Sequence, residues 1–211
     1  MKIPDNPREP TKTNPIKLRK LLVYPDFFTF KKSQYHYEDI TKLAFDWYAF
    51  QAVSRNTLVD PKIEFNLPGV SKRITIKAVW NPLFDISLKR FEKFYCGYHY
   101  MAEKSFTSRY KKYKDEFSEK GYFRYSDELF FKDRVTDGKD WEVMLDDGTK
   151  YLKNHKNGIL LCTNEKIRGS ITRKILPNYS KAVGAFFDDT DIDVLKKLLD
   201  EFYGLKILQD T

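Results

Sequence analysis

The feature that most constrains this chain is the stretch Asn81–Gly121, the longest segment with helical periodicity. Phe84, Leu88, Phe91, Tyr95, Tyr98, Ala102, Phe106, Tyr110, Tyr113 and Phe117 follow one another by threes and fours, which places them on one stripe of a helix. Lys89, Arg90, Lys93, Lys104, Lys111, Lys112 and Lys114 lie mostly off that stripe, so the helix is amphipathic and basic. Asn81-Pro82 ends the preceding strand, and Asp85 is the expected helix cap.

Strand-like segments flank the helix on both sides. Before it come LRKLLVYPD, FFTFKK, YHYEDITKLAFDWYAFQAV, KIEFNL and RITIKAVW, in which Ile74, Ile76 and Ala78 alternate with Arg73, Thr75 and Lys77. Period-two alternation marks strands with one buried face, and turn signals at Ser33, Arg55 and Pro68 predict antiparallel hairpins. After it come YFRYSDELFFKD, DWEVML, TKYLKN, GILLCTN, SITRKIL and AVGAFF, with Gly-containing turns at TDGKD, DDGTK and KNG. A final helix is expected from a cap at Thr190 or Asp191 to Gly204, with Ile192, Leu195, Leu198, Leu199 and Phe202 on its apolar face.

Two alignments point to an internal repeat. YPDFFTFKK (24–32) lies over YSDELFFKD (125–133), and DISLKRFEKFY (85–95) over DVLKKLLDEFY (193–203). Several strands closed by one helix is also the element order of the pleckstrin-homology (PH) fold. With the FFTFKKSQYHYEDITKLAF and AFFDDTDIDVLKKLLDEFY segments, the chain resembles a tandem of bacterial PH-like domains. The resemblance implies an α+β fold of two antiparallel bent-sheet or barrel domains, each closed by a C-terminal helix and joined by a helical connector. The implied division is a flexible tail over 1–16, a first domain over 17–97, a connector over 98–120 and a second domain over 121–211. The cut falls near Cys96-Gly97, where glycine costs a helix roughly 1 kcal/mol.

Hydrophobic residues make up 41% of the chain, enough apolar surface to offset the entropy of folding. The formal charge of +8 is uneven, with twelve Lys and Arg against six Asp and Glu between Lys72 and Lys120. Such a balance suits an acidic protein, nucleic acid or anionic lipid without requiring any of them. The start MKIPDNPREP has no apolar signal core, no run reaches the roughly 18 apolar residues of a membrane span, and a cytoplasmic location is expected. Cys96 and Cys162 are far apart and lack CxxC spacing, so neither a disulfide framework nor a zinc site is expected. His36, His99 and His155 lie in separate segments without companions at ligand spacing.

Common enzyme signatures are missing: GxSxG, a Walker loop, GxGxxG and HExxH do not occur. The nearest approach to catalysis is Asp127 with Asp137 and Lys139, whose spacing is similar to metal-dependent nucleases, although TDGKD reads first as a hairpin turn. Arg109, Tyr110, Lys111, Lys112, Tyr113 and Lys114 interleave bases with aromatics, as surfaces for phosphates and stacked bases do. The PH-like resemblance implies further basic residues near the first hairpin of each domain: Lys31 and Lys32, then Lys132 and Arg134. No dense basic cluster accompanies them, so a dedicated lipid reader is not expected. The expectation is a non-enzymatic interaction protein, without cofactor or metal, that binds an acidic protein partner through its basic helix. The alternative is a nucleic-acid-binding protein or small metal-dependent nuclease.

Overall fold

A computed structural model of the chain describes residues 8–51, 57–78, 87–139, 142–145, 151–155, 158–162, 190–205 and 207–208. The expected SITRKIL and AVGAFF strands, the Asp85 cap and the turns at Arg55, Asp146 and Lys156 lie outside them. Within them the fold is α+β, built from antiparallel sheets and two α-helices, with one parallel strand pair. By contacts the chain divides into two compact units, Met1–Arg109 and Tyr110–Thr211.

The first unit opens with a four-stranded meander: β1 (Ile16–Leu18), β2 (Leu21–Val23), β3 (Phe28–Phe30) and β4 (Ser33–Tyr35). The predicted turn at Ser33 falls two residues earlier, on Lys31-Lys32, and Ser33 already pairs with Phe30. A single 3-10 turn, Tyr37–Asp39, interrupts what the sequence reads as one long strand. Then come β5 (Lys42–Gln51), β6 (Thr57–Asn66) and β7 (Ile74–Lys77) in a three-stranded meander. The predicted alternation holds in β7, where Ile74 and Ile76 are buried and Thr75 and Lys77 exposed. Among the described residues no ladder joins the two sheets, so the closed barrel that was one expectation is not formed.

Within the predicted tail, residues 10–16 are more ordered than their prolines imply. Pro10 and Pro15 are buried, Thr11 and Asn14 exchange backbone hydrogen bonds at 3.2 Å, and Ile16 already belongs to β1. Proline cannot donate a ladder bond, but its apolar ring packs freely.

Helix α1 (Ser87–Lys120) follows as one element of 34 residues, about 51 Å long. The helix runs unbroken through Cys96-Gly97, where the sequence places the boundary between closing helix and connector, and by contacts the chain divides after Arg109. Gly97 serves close packing instead. A Cβ built there would lie 2.6 Å from Leu18 Cδ1 and 3.6 Å from Ile16 Cγ2, so any larger residue would force the Leu18 side chain to shift. The core of the first unit joins both sheets to α1 through residues such as Leu18, Phe28, Leu43, Ile63, Phe65, Phe94 and Met101.

The second unit contains the rest of α1, then β8 (Tyr122–Tyr125), β9 (Glu128–Phe131), β10 (Arg134–Thr136) and β11 (Glu142–Met144) as another meander. The segments 24–32 and 125–133, which align at an offset of 101, also agree in strand register. A shift of 101 residues carries the pairs Leu21–Phe30 and Phe28–Tyr35 onto Tyr122–Phe131 and Leu129–Thr136. Strands β12 (Tyr151–His155) and β13 (Gly158–Cys162) form a hairpin, and β14 (Ile207–Leu208) pairs with β12 in parallel. Helix α2 (Ile192–Tyr203) buries Val194, Leu195, Leu198 and Leu199 and ends on Gly204 at φ 63°, as the sequence predicts. Among the described residues no helix is long and apolar enough to cross a membrane.

Replacing Gly97 by Val, which must displace the fully buried Leu18, is expected to lower stability by about 1–3 kcal/mol. Chemical denaturation with an unchanged m-value would report it; a neutral Gly97→Val would mean that α1 does not need this close approach.

Candidate functional site

The buried seam of α1 runs through Phe94, Gly97, Met101, Ser105, Arg109 and Tyr113, each three or four residues from the last. This line is rotated from the predicted stripe, because Ser105 and Arg109 are polar and a search for apolar spacing passes over them. Arg109 is only 1% exposed, so the expectation that it joins Lys111, Lys112 and Lys114 on an open basic face is corrected. Its side chain turns back toward the helix N-terminus, as helical side chains do. Nε donates to Ser105 Oγ at 3.0 Å and Nη2 to the Ala102 carbonyl at 2.9 Å, while Ser105 Oγ donates to the Met101 carbonyl at 2.6 Å.

The other members of the helical set separate by face. Tyr113 is buried in the second unit and donates to Asp191 Oδ2 at 2.9 Å. Tyr110 and Lys114 both donate to the Glu201 carboxylate, Lys114 at 2.9 Å. Those two hydrogen bonds hold Glu201 below the ordinary carboxylate range. Lys111 and Lys112 are exposed.

Asp127 is exposed in the turn between β8 and β9. Asp137 lies in the turn between β10 and β11, where its Oδ1 accepts the Lys139 N–H at 2.9 Å and Thr136 Oγ1 accepts the Gly138 N–H at 2.9 Å. Gly138 takes φ 76°, as such a turn demands. Among the described residues no three His, Cys, Asp or Glu side chains converge as a metal site would require. Lys132 is exposed, and Arg134 pairs with Glu142 at 3.2 Å and lies over the Phe131 ring.

A different basic site forms in the first unit. Three turns, β1–β2, β3–β4 and β6–β7, open onto a cavity of about 580 Å³. Phe30, Tyr35, Ile74 and Ile76 supply its apolar lining, and Arg19, Lys20, Lys31, Lys72, Arg73 and Lys77 its charge, with no Asp or Glu among the residues that line it. The volume falls within the range typical of ligand pockets, roughly 300–1,000 Å³.

The two tight turns carry their cations in an unusual backbone conformation. Arg19, Lys31 and Lys32 have φ of 59°, 50° and 77°, the left-handed region that glycine and asparagine normally occupy in hairpins. Each such residue costs roughly 1–2 kcal/mol. The Lys31 N–H donates to the Lys20 carbonyl at 3.1 Å, binding one turn to the other and holding two of the cations side by side. Positive φ suits two-residue hairpin turns, and it recurs at Ser126 in the β8–β9 turn, at φ 53°. The sequence signal is weak, because the six cations are spread over almost sixty residues and only Lys31 belongs to the basic positions that the PH-like resemblance implies.

One cation is held back. Glu64, beside the cavity, accepts Arg73 Nη1 at 3.1 Å and Thr75 Oγ1 at 3.1 Å, with Lys62 Nζ at 3.5 Å. Partial burial favours its neutral form, but the Arg73 and Thr75 hydrogen bonds and the Lys62 charge outweigh that and hold it below the ordinary carboxylate range.

Compared with protein-family models, curated proteins and solved structures, the chain matches none.

Arg109→Ala is expected to cost about 1–3 kcal/mol, since it leaves buried hydrogen-bonding groups without their donor. Lys111→Ala and Lys112→Ala should each stay within about 0.5 kcal/mol of the parent. Equal effects in urea titration would contradict this division of the helix. Because the folded pKa of Glu64 lies below its unfolded value, its stabilisation is present above about pH 4.5 and is lost as the pH falls through the depressed value. Glu64→Gln should therefore lessen the slope of stability against pH in that acid window, measured by thermal unfolding across pH 2.5–6.

Proposed function

We propose that the chain is a non-enzymatic interaction protein that binds an acidic partner through the basic cavity of its first unit. The observation that carries this reading is the meeting of Arg19, Lys20, Lys31 and Lys72 from three separate turns around one apolar-floored cavity. A solvated surface has no reason to gather like charges there, whereas an anionic partner offsets their mutual repulsion.

The reading keeps the expected partner and moves the contact surface. The RYKKYK segment of α1 presents no single positive face, with Arg109 and Tyr113 buried and Lys114 paired to Glu201. The PH-like resemblance is part of the same proposal, supported in the first unit by the order of a four-stranded meander, a three-stranded meander and then a helix. A cytoplasmic setting agrees with Cys96, a buried free thiol.

Titrating the whole chain with octa-glutamate while recording ¹⁵N–¹H spectra tests the proposal. Shifts should centre on Arg19, Lys20, Lys31 and Lys72 and weaken as salt rises from 50 to 200 mM, and Lys31→Glu with Lys72→Glu should lower affinity at least tenfold. If neither octa-glutamate nor a soluble polyphosphate moves these amides, the proposal falls. Salt-dependent binding of single-stranded RNA that is lost with Lys111→Glu and Lys112→Glu, and insensitive to the cavity pair, would favour a nucleic-acid surface on α1 instead.

A further inference from the structure

The cavity runs along an open strand edge. Strand β7 has β6 as its only ladder neighbour among the described residues, and β4, which also lines the cavity through Ser33 and Tyr35, is the last strand of its own sheet. All four β7 residues, Ile74–Lys77, line the cavity, so it follows the strand lengthwise.

The Ala78 N–H donates to the Pro61 carbonyl at 3.1 Å, and Ala78 stands opposite Pro61 in the register that sets Lys77 against Lys62 and Ile76 against Ile63. Bonded and non-bonded pairs alternate along an antiparallel ladder. Ile76 and Ile74 are therefore the bonded residues, and Thr75 and Lys77 turn their N–H and C=O groups away from β6. Arg19 gives an independent check, because its Nη1 reaches the Lys77 carbonyl at 3.4 Å from the cavity side.

Resting on the reading of the cavity as an acidic-partner site, we infer that the partner enters as an extended acidic peptide that adds a strand to the outer edge of β7. An edge with outward-facing amides recognises extended backbone, and the cations Arg19, Lys20, Lys31 and Lys72 select acidic side chains on that backbone. Ile74 and Ile76 offer apolar contact to alternate residues of the incoming strand. A compact anion such as a phosphate head group would use the charge but leave the Thr75 and Lys77 amides unused, which is why the observations favour a peptide.

The test uses the full chain and a fluorescent, end-blocked octapeptide of alternating Glu and Val, beside the same peptide N-methylated at every residue. The unmethylated peptide should bind at least tenfold more tightly at 150 mM salt. Thr75→Pro removes an outward N–H without breaking a β6–β7 bond and should abolish that preference. Thr75→Val, which loses only the hydroxyl bond to Glu64, should retain it. Circular dichroism keeps the comparison to folded protein, and the methylated peptide tests the same point on the unaltered chain. Equal affinity for the two peptides overturns strand addition while leaving the acidic-partner site standing. Binding of tripolyphosphate or phosphatidylserine vesicles, lost with Lys31→Glu and Lys72→Glu, without binding of either peptide, also overturns it and points to a phosphate ligand. If none of these probes binds, both readings fail together.

Discussion

The close approach of α1 to β1 at Gly97 is the contact on which the first unit depends. Helix and strand meet where a single added methyl would lie 2.6 Å from Leu18 Cδ1, inside van der Waals contact, and the helix shares one core with both sheets. Phe28 of one sheet packs edge to face on Phe65 of the other, with ring centroids 5.7 Å apart, and among the described residues no ladder joins the sheets, so their shared core is left to be covered from a further side. The helix supplies that cover through Phe94 and Met101. Leaving glycine inside a helix costs roughly 1 kcal/mol of propensity, which the gain in buried apolar contact offsets.

The open edge of β7 follows from the same arrangement. With the core sealed by a helix and not by barrel closure, β7 can remain without a second strand neighbour among the described residues. Unprotected edges invite aggregation, and natural chains commonly guard them with charge. Lys72, Arg73 and Lys77 on and beside β7 serve that purpose, and in the proposed reading the same charges would select an acidic strand. Glu64 moderates the site by holding Arg73 and Thr75 on the solvent face of the sheet.

The two segments that align at an offset of 101 illustrate how much local order is written in short stretches of residues. Tyr, Asp, Phe and Lys recur at a spacing of 101, and both copies fold into hairpins of the same register. The turns nevertheless differ in conformation, since Lys31 and Lys32 take positive φ and their counterparts Lys132 and Asp133 do not. Register is set by strand length and the alternation of faces, whereas the dihedral angles of a two-residue turn respond to what surrounds it. Here the Lys31 N–H bond to the Lys20 carbonyl is one such surrounding constraint.

By itself the sequence determined what depends on neighbours along the chain: the alternation of Ile74 and Ile76 with Thr75, the positions of most hairpins, the long helix, and the Gly204 stop of α2. Periods of 2 and 3.6 residues reveal such features without any partner. Tertiary structure alone decided which side of α1 faces inward, because Ser105 and Arg109 hydrogen-bond to groups of the helix itself, which helps to bury them where an apolar pattern would not place them. It also decided the site. Arg19, Lys31 and Lys72 belong to three turns far apart in sequence, and only the folding of two meanders against one helix brings their charges around a common cavity.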